Sequence, residues 1–172
     1  KRSLGIKARY KFILEILFGA LFVYLILHWR YGDSRISIPF SDSEIELGWF
    51  YLPFATLMIV ASSNAVNITD GLDGLAGGST VIVSLTYLII AIQFGQEPLG
   101  IICAALGGAC LGFLYFNRHP AKIFMGDIGS LALGASLASI AILAKAELLL
   151  IIIGGLFLWE TLSVILQVAS FK

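Results

Sequence analysis

The stretch LAGGSTVIVSLTYLIIAIQF, residues 75–94, carries no charged side chain from end to end. About 20 such residues, wound as a helix, cross the hydrocarbon core of a bilayer. Lipid offers the backbone no hydrogen-bond partners, so the run is predicted to be a transmembrane helix. Runs over residues 12–28, 49–65, 99–116, 128–144 and 148–168 read the same way, the second ending in the small or polar residues Asn64 and Ala65. Hydrophobic residues make up 59% of the 172-residue chain and charged residues 13%, against about 25% charged in soluble domains. The expected fold class is an all-α integral membrane protein, with about six transmembrane helices in a single membrane domain over residues 1–172. A formal net charge of zero argues against a nucleic-acid surface. Cys103 and Cys110 share one apolar run and are about 10 Å apart along a helix, too far for a disulfide. They are expected to be packing residues, and no Cys/His cluster points to zinc.

Six spans return both chain ends to one side. Lys1, Arg2, Lys7, Arg9, Lys11, Arg118, Lys122 and Lys172 fall on that side, while Arg30, Arg35 and Lys145 fall on the other. Basic residues favour the cytoplasm, so both ends are expected to be cytoplasmic. Asp33, Asp42, Glu44, Glu46, Glu97 and Glu147 then lie outside, and Asp70, Asp73 and Asp127 lie inside at helix ends. Glu15 and Glu160 fall within spans. The outer loop, residues 30–48, contains ISIPFSDSEIEL. Its two short alternating runs around a polar turn read as a β-hairpin, with Pro39 confining its strand to an edge. Gly108 and Gly112, Gly134 and Ala138, and Gly154 and Gly155 are expected to let helices approach closely in lipid. The sequence opens at Lys1 and closes at ASFK; it is expected to be an internal piece of a longer protein.

The stretch SSNAVNITDGLDGLAGG interrupts this apolar pattern. Asn64, Asn67 and Asp70, three apart, form a ridge on one side of a helix. Gly71 and Gly74 permit a break, and Asp73 is expected to open the next helix. A second polar stretch, FNRHPAKIFMGDIGS, ends one helix at Pro120 and starts another after Gly126 and Asp127. Three carboxylates near one membrane face suit a hard cation, and Mg²⁺ takes one or two carboxylates together with waters and substrate phosphates. Helix N-termini following Asp73 and Asp127 would offer N–H groups to anions. Arg118, Lys122 and the basic N-terminal stretch add positive charge. Such a set suits phosphoryl transfer, in which a metal and fixed donors hold phosphate oxygens. Plainer roles compete. Asp73 and Asp127 also stand where helix N-caps would, and Asn64 and Asn67 also suit interhelical hydrogen bonds. Asn67-Ile68-Thr69 matches a glycosylation sequon, which a cytoplasmic position makes accidental. His119, before Pro120, reads as a loop residue. Glu160 is an intramembrane acid, functional by default; Glu15, near a span end, reads as a residue that snorkels.

The motifs SNAVNITDGLDGLAGG, FNRHPAKIFMGDIGSLALG and WETLSVILQVASFK closely resemble those of the polyprenyl-phosphate N-acetylhexosamine-1-phosphate transferases. The third points to the branch that handles phospho-N-acetylmuramoyl-pentapeptide. The resemblance covers nearly all of the chain. It implies a larger ten-helix fold in the bacterial cytoplasmic (inner) membrane, commonly a homodimer, with its active site facing the cytoplasm. The reaction implied joins UDP-N-acetylmuramoyl-pentapeptide to undecaprenyl phosphate, a membrane lipid, releasing UMP and forming lipid I in peptidoglycan synthesis, with Mg²⁺ required. Asp127 would be the Mg²⁺ ligand. Asp70, Asp73, Asp127 and Lys11 would form the catalytic set. Asn67, Gly71, Leu72, Asn117, Phe124 and Gly126 would bind substrate, with Phe124 stacking on the uracil. Two family features are not in the sequence: a DDxxK motif that would precede residue 1 and a His-rich loop that would follow ASFK. The 172 residues alone are therefore expected to be inactive. Competing readings are a sister enzyme transferring N-acetylglucosamine-1-phosphate and, from another class, a secondary transporter. Transporters tend to hold their ionisable residues near the midplane, whereas these cluster at one face.

Overall fold

The computed structural model describes residues 7–29 and 33–171. Lys1, Arg2, Arg30 and Lys172, used above to orient the chain, lie outside the described residues. Seven α-helices and one small hairpin follow in order: α1 Ala8–Trp29, β1 Arg35–Ser37, β2 Glu44–Glu46, α2 Tyr51–Thr69, α3 Leu75–Gln93, α4 Glu97–Asn117, α5 Gly126–Leu143, α6 Leu149–Ile153 and α7 Gly155–Ser170. Among the described residues five helices are long and apolar enough to cross a membrane: α1, α2 with the 3₁₀ turn that precedes it, α3, α4 and α5. Their bounds agree with the expected spans to within a turn or so. The sixth apolar run differs. It divides at Gly154 into α6 and α7. A Cβ on Gly154 would stand 2.8 Å from the Leu150 carbonyl oxygen, so only glycine fits this bend.

Successive long helices run in alternating directions, which gathers the polar ends of α1, α2, α3, α4 and α5 at one end of the bundle. The hairpin lies at the other. α2 is the centre, packing on α1, α5 and α7, while α3 packs chiefly on α4. The α2–α5 seam depends on small residues, as expected from Gly134: a Cβ there would come within 2.6 Å of the Ser63 Cα. The Ser62 hydroxyl donates to the Gly134 carbonyl at 2.9 Å and the Ser63 hydroxyl to that of Leu131 at 2.8 Å. Cys103 and Cys110 are free and buried, as packing residues.

The hairpin pairs Arg35 with Glu46, Ile36 with Ile45 and Ser37 with Glu44. Pro39 falls in its turn, not in a strand; its missing N–H costs nothing there. Lys145 fastens the hairpin to the α5–α6 turn, donating to the carbonyls of Asp33 (3.2 Å) and Arg35 (3.0 Å) and pairing with the Asp33 carboxylate at 3.2 Å. Burial opposes charge on Asp33. The Arg35 amide and the Lys145 and Arg35 side chains outweigh it, holding this carboxyl below its ordinary value. Glu147 lies in the α5–α6 turn, at the hairpin end as expected, yet its side chain is 0% exposed and accepts the Tyr51 hydroxyl at 2.5 Å.

Candidate nucleotide and metal site

The polar residues at the end of α2 divide between α1 and α5. Asn64 turns to α1, where its amide donates to Glu15 at 2.6 Å. Glu15 is thus an interhelical partner; nothing in its sequence position signalled Asn64. Asn67 turns to α5, donating to the Ser130 hydroxyl at 2.8 Å and, at 3.5 Å, to Asp127. Asp70 ends α2 and accepts the backbone N–H of Gly126. Burial pushes the Asp70 carboxyl up from its ordinary value, the Gly126 N–H draws it down, and the nearby charge of Asp127 pushes it up again. Lys11, from the first turns of α1, donates to Asp127. Lys11, Asn67, Asp70, Gly126 and Asp127 therefore meet at one point, at the ends of three helices.

Asp73 does not join them. Its Oδ2 accepts the Ala121 N–H at 3.0 Å and meets His119 Nδ1 at 3.1 Å, both on the α4–α5 connection. Asn117, only 3% exposed, secures the same connection. Its Oδ1 accepts the Gly74 N–H at 3.0 Å, and its Nδ2 donates to the Ile123 carbonyl at 2.9 Å. The α2–α3 turn is thus tied twice to residues 118–125. Gly74 makes that turn at φ +77°, a left-handed conformation that other residues rarely adopt. Gly126 makes the second turn at φ +67°. Phe124 stands 76% exposed on the tied segment, and Leu72 and Gly71 are exposed on the facing turn.

Neither aspartate is a helix cap. The cap position of α3 is Gly74 and that of α5 is Met125, and neither helix has a side-chain cap bond. Asp73 does not open α3, which begins at Leu75. Asp127 lies within the first turn of α5, where the positive end of the helix dipole favours a carboxylate. Ser130 and His119 are the participants that sequence reasoning missed. Ser130, at i+3 from Asp127, was readable as sharing its face; His119 carried no signal beyond proximity to Pro120. Glu160, on α7, is half-buried.

Among the described residues no three His, Cys, Asp or Glu side chains group to hold a metal. Mg²⁺, which keeps waters and takes phosphates alongside one or two carboxylates, does not require such a group. The exposed Asp127, with Asp70 close enough to feel its charge, would supply those carboxylates. A polar cavity of 440 Å³ opens here, lined by Lys11, Glu15, Asn64, Asn67 and Asp127 among others. An apolar cavity of 390 Å³ shares Lys11, Glu15 and Leu131 with it and extends between α1, α2 and α5 along Phe18, Phe22 and Ile59.

The family model described as glycosyl transferase family 4 matches residues 3–145. A phospho-N-acetylmuramoyl-pentapeptide-transferase of Geobacillus kaustophilus is 51% identical over 173 residues, covering 100% of this chain and 53% of that protein. Similar proteins of the same name occur in Halalkalibacterium halodurans, 52% identical with the same coverage, and in Desulfotalea psychrophila, 50% identical over all of this chain and 52% of that protein. The chain spans about half the length of the curated relatives it matches.

Proposed function

The chain belongs to glycosyl transferase family 4, and from that premise we propose that its parent protein transfers phospho-N-acetylmuramoyl-pentapeptide from UDP to undecaprenyl phosphate, yielding lipid I and UMP. The carrying observation is the meeting of Lys11, Asn67 and Asp127, with Asp70 near Asp127, at a polar cavity that continues into an apolar one. A soluble nucleotide donor and a lipid acceptor need such a boundary site, because neither enters the other's phase. The relatives' printed names and the match to WETLSVILQVASFK support the muramoyl donor. The basic residues near Lys11 and Lys122 support a cytoplasmic orientation of this end.

Asp127, with Asp70 beside it, would hold Mg²⁺, which when bound neutralises pyrophosphate oxygens and stabilises the leaving UMP. Asn67, itself bonded to the Ser130 hydroxyl, orients the Asp127 carboxylate. Lys11 balances its charge and offers a cation to the acceptor phosphate at the mouth of the apolar cavity. Phe124 presents an open aromatic face for a base to stack on. The test is Mg²⁺-dependent UMP release by the full-length protein with undecaprenyl phosphate, comparing UDP-N-acetylmuramoyl-pentapeptide with UDP-N-acetylglucosamine. Preference for the first is expected. Preference for the second would move the protein to the sister branch, and release from neither would overturn the reading.

A further inference from the structure

We infer that His119 is a positioning residue for the donor-binding segment: by holding the Asp73 carboxylate against the Ala121 amide, it sets the 118–125 connection that presents Phe124. A carboxylate oxygen accepts, so the bond to Asp73 assigns the donor role to His119 Nδ1. The same Asp73 oxygen takes the Ala121 N–H, so one atom closes a small ring through His119, Pro120 and Ala121. The two ties to the connection differ in kind. The Asn117 tie is buried and belongs to the core of the turn, whereas His119 is 86% exposed. His119 is therefore the adjustable tie: losing it leaves the helices packed and frees the segment only at its outer edge. That segment runs directly into Gly126 and Asp127, with Lys122 bonded back to the Phe116 carbonyl at 2.8 Å. A shift at residue 119 therefore reaches Phe124 before it reaches the metal-binding carboxylate.

This inference rests on the reading of Phe124 as a donor contact, so its test separates the two. In the full-length protein, His119→Ala and His119→Asn are compared with the parent for UMP binding by calorimetry and for turnover with varied donor. His119→Ala is expected to weaken UMP binding and raise the donor KM by about three- to tenfold, as loss of one modest hydrogen bond implies. kcat at saturating donor and the acceptor KM stay within about twofold. His119→Asn, whose amide can still donate to Asp73, is expected to restore most of the loss. Unchanged UMP binding in His119→Ala overturns the inference, as does a fall in kcat with donor KM unchanged, or failure of Asn to rescue. If the parent binds UMP but does not use the muramoyl donor, the proposed function fails while the UMP affinities of the variants still decide the role of His119. A parent that binds no UMP overturns both.

Discussion

At the level of single residues, the candidate site divides into groups that face a ligand and groups that hold the fold in place. Asp127 is exposed and faces the cavity. In the full-length protein, Asp127→Asn is expected to lower kcat by about 10²–10³, as loss of a dominant electrostatic stabiliser does; a near-normal rate at low Mg²⁺ would refute its role. Asn117 also carried a substrate-binding expectation, yet both ends of its amide are committed to backbone groups. Asn117→Ala leaves the Gly74 N–H and the Ile123 carbonyl without these partners and is expected to cost about 1–3 kcal/mol of stability, read as a lowered Tm in detergent. Asn67 and Asp127 were legible in the sequence because their polarity stands out in an apolar chain. The separation of Asp73 from Asp127 was not, because two acids in neighbouring polar stretches look equivalent until the turns point them apart.

Among the elements, the α2–α5 pair determines how accurately the site is built, since Asn67 and Ser130 meet only if the helices approach closely. Gly134→Val should drive Cβ into the Ser63 backbone and destabilise the pair by about 1–3 kcal/mol or more, measurable by thermal melting. The expected close packing at Gly134 was readable from its small size; its partner on α2 was not. The hairpin makes a separate prediction. Because the Asp33 carboxyl lies below its ordinary value in the fold, it stabilises the hairpin's attachment above that value, 3.8, and the contribution is lost as pH falls through the lower folded value. Protease protection of residues 33–48 is expected to be constant from pH 7 to 5 and to fall in acid below about pH 4. Lys145→Met should reduce that protection already at neutral pH. The division of the last apolar run at Gly154 was hidden, because a hydropathy pattern measures greasiness and not the path of the backbone.

For the molecule as a whole, the chain spans about half of its relatives' length, so the isolated 172 residues are expected to show no turnover where the full-length protein does; detectable UMP release by the piece would refute this. A single cysteine placed at Lys122, in an otherwise cysteine-free background, is expected to react with impermeant reagent only from the cytoplasmic side, whereas one at Ser41 should react from the other. By itself the sequence determined the class of fold, the approximate spans and the two polar stretches that form the candidate site. Those follow from burial in lipid and local chain geometry, which act through neighbours in sequence. Tertiary structure alone decided that Lys11 meets Asp127 across 116 positions, that Asn64 turns to Glu15, and that Asp73 ties a loop through His119. Those pairings depend on which helix faces which and on how the turns at Gly74 and Gly126 aim their neighbours, and that information resides in packing between distant segments.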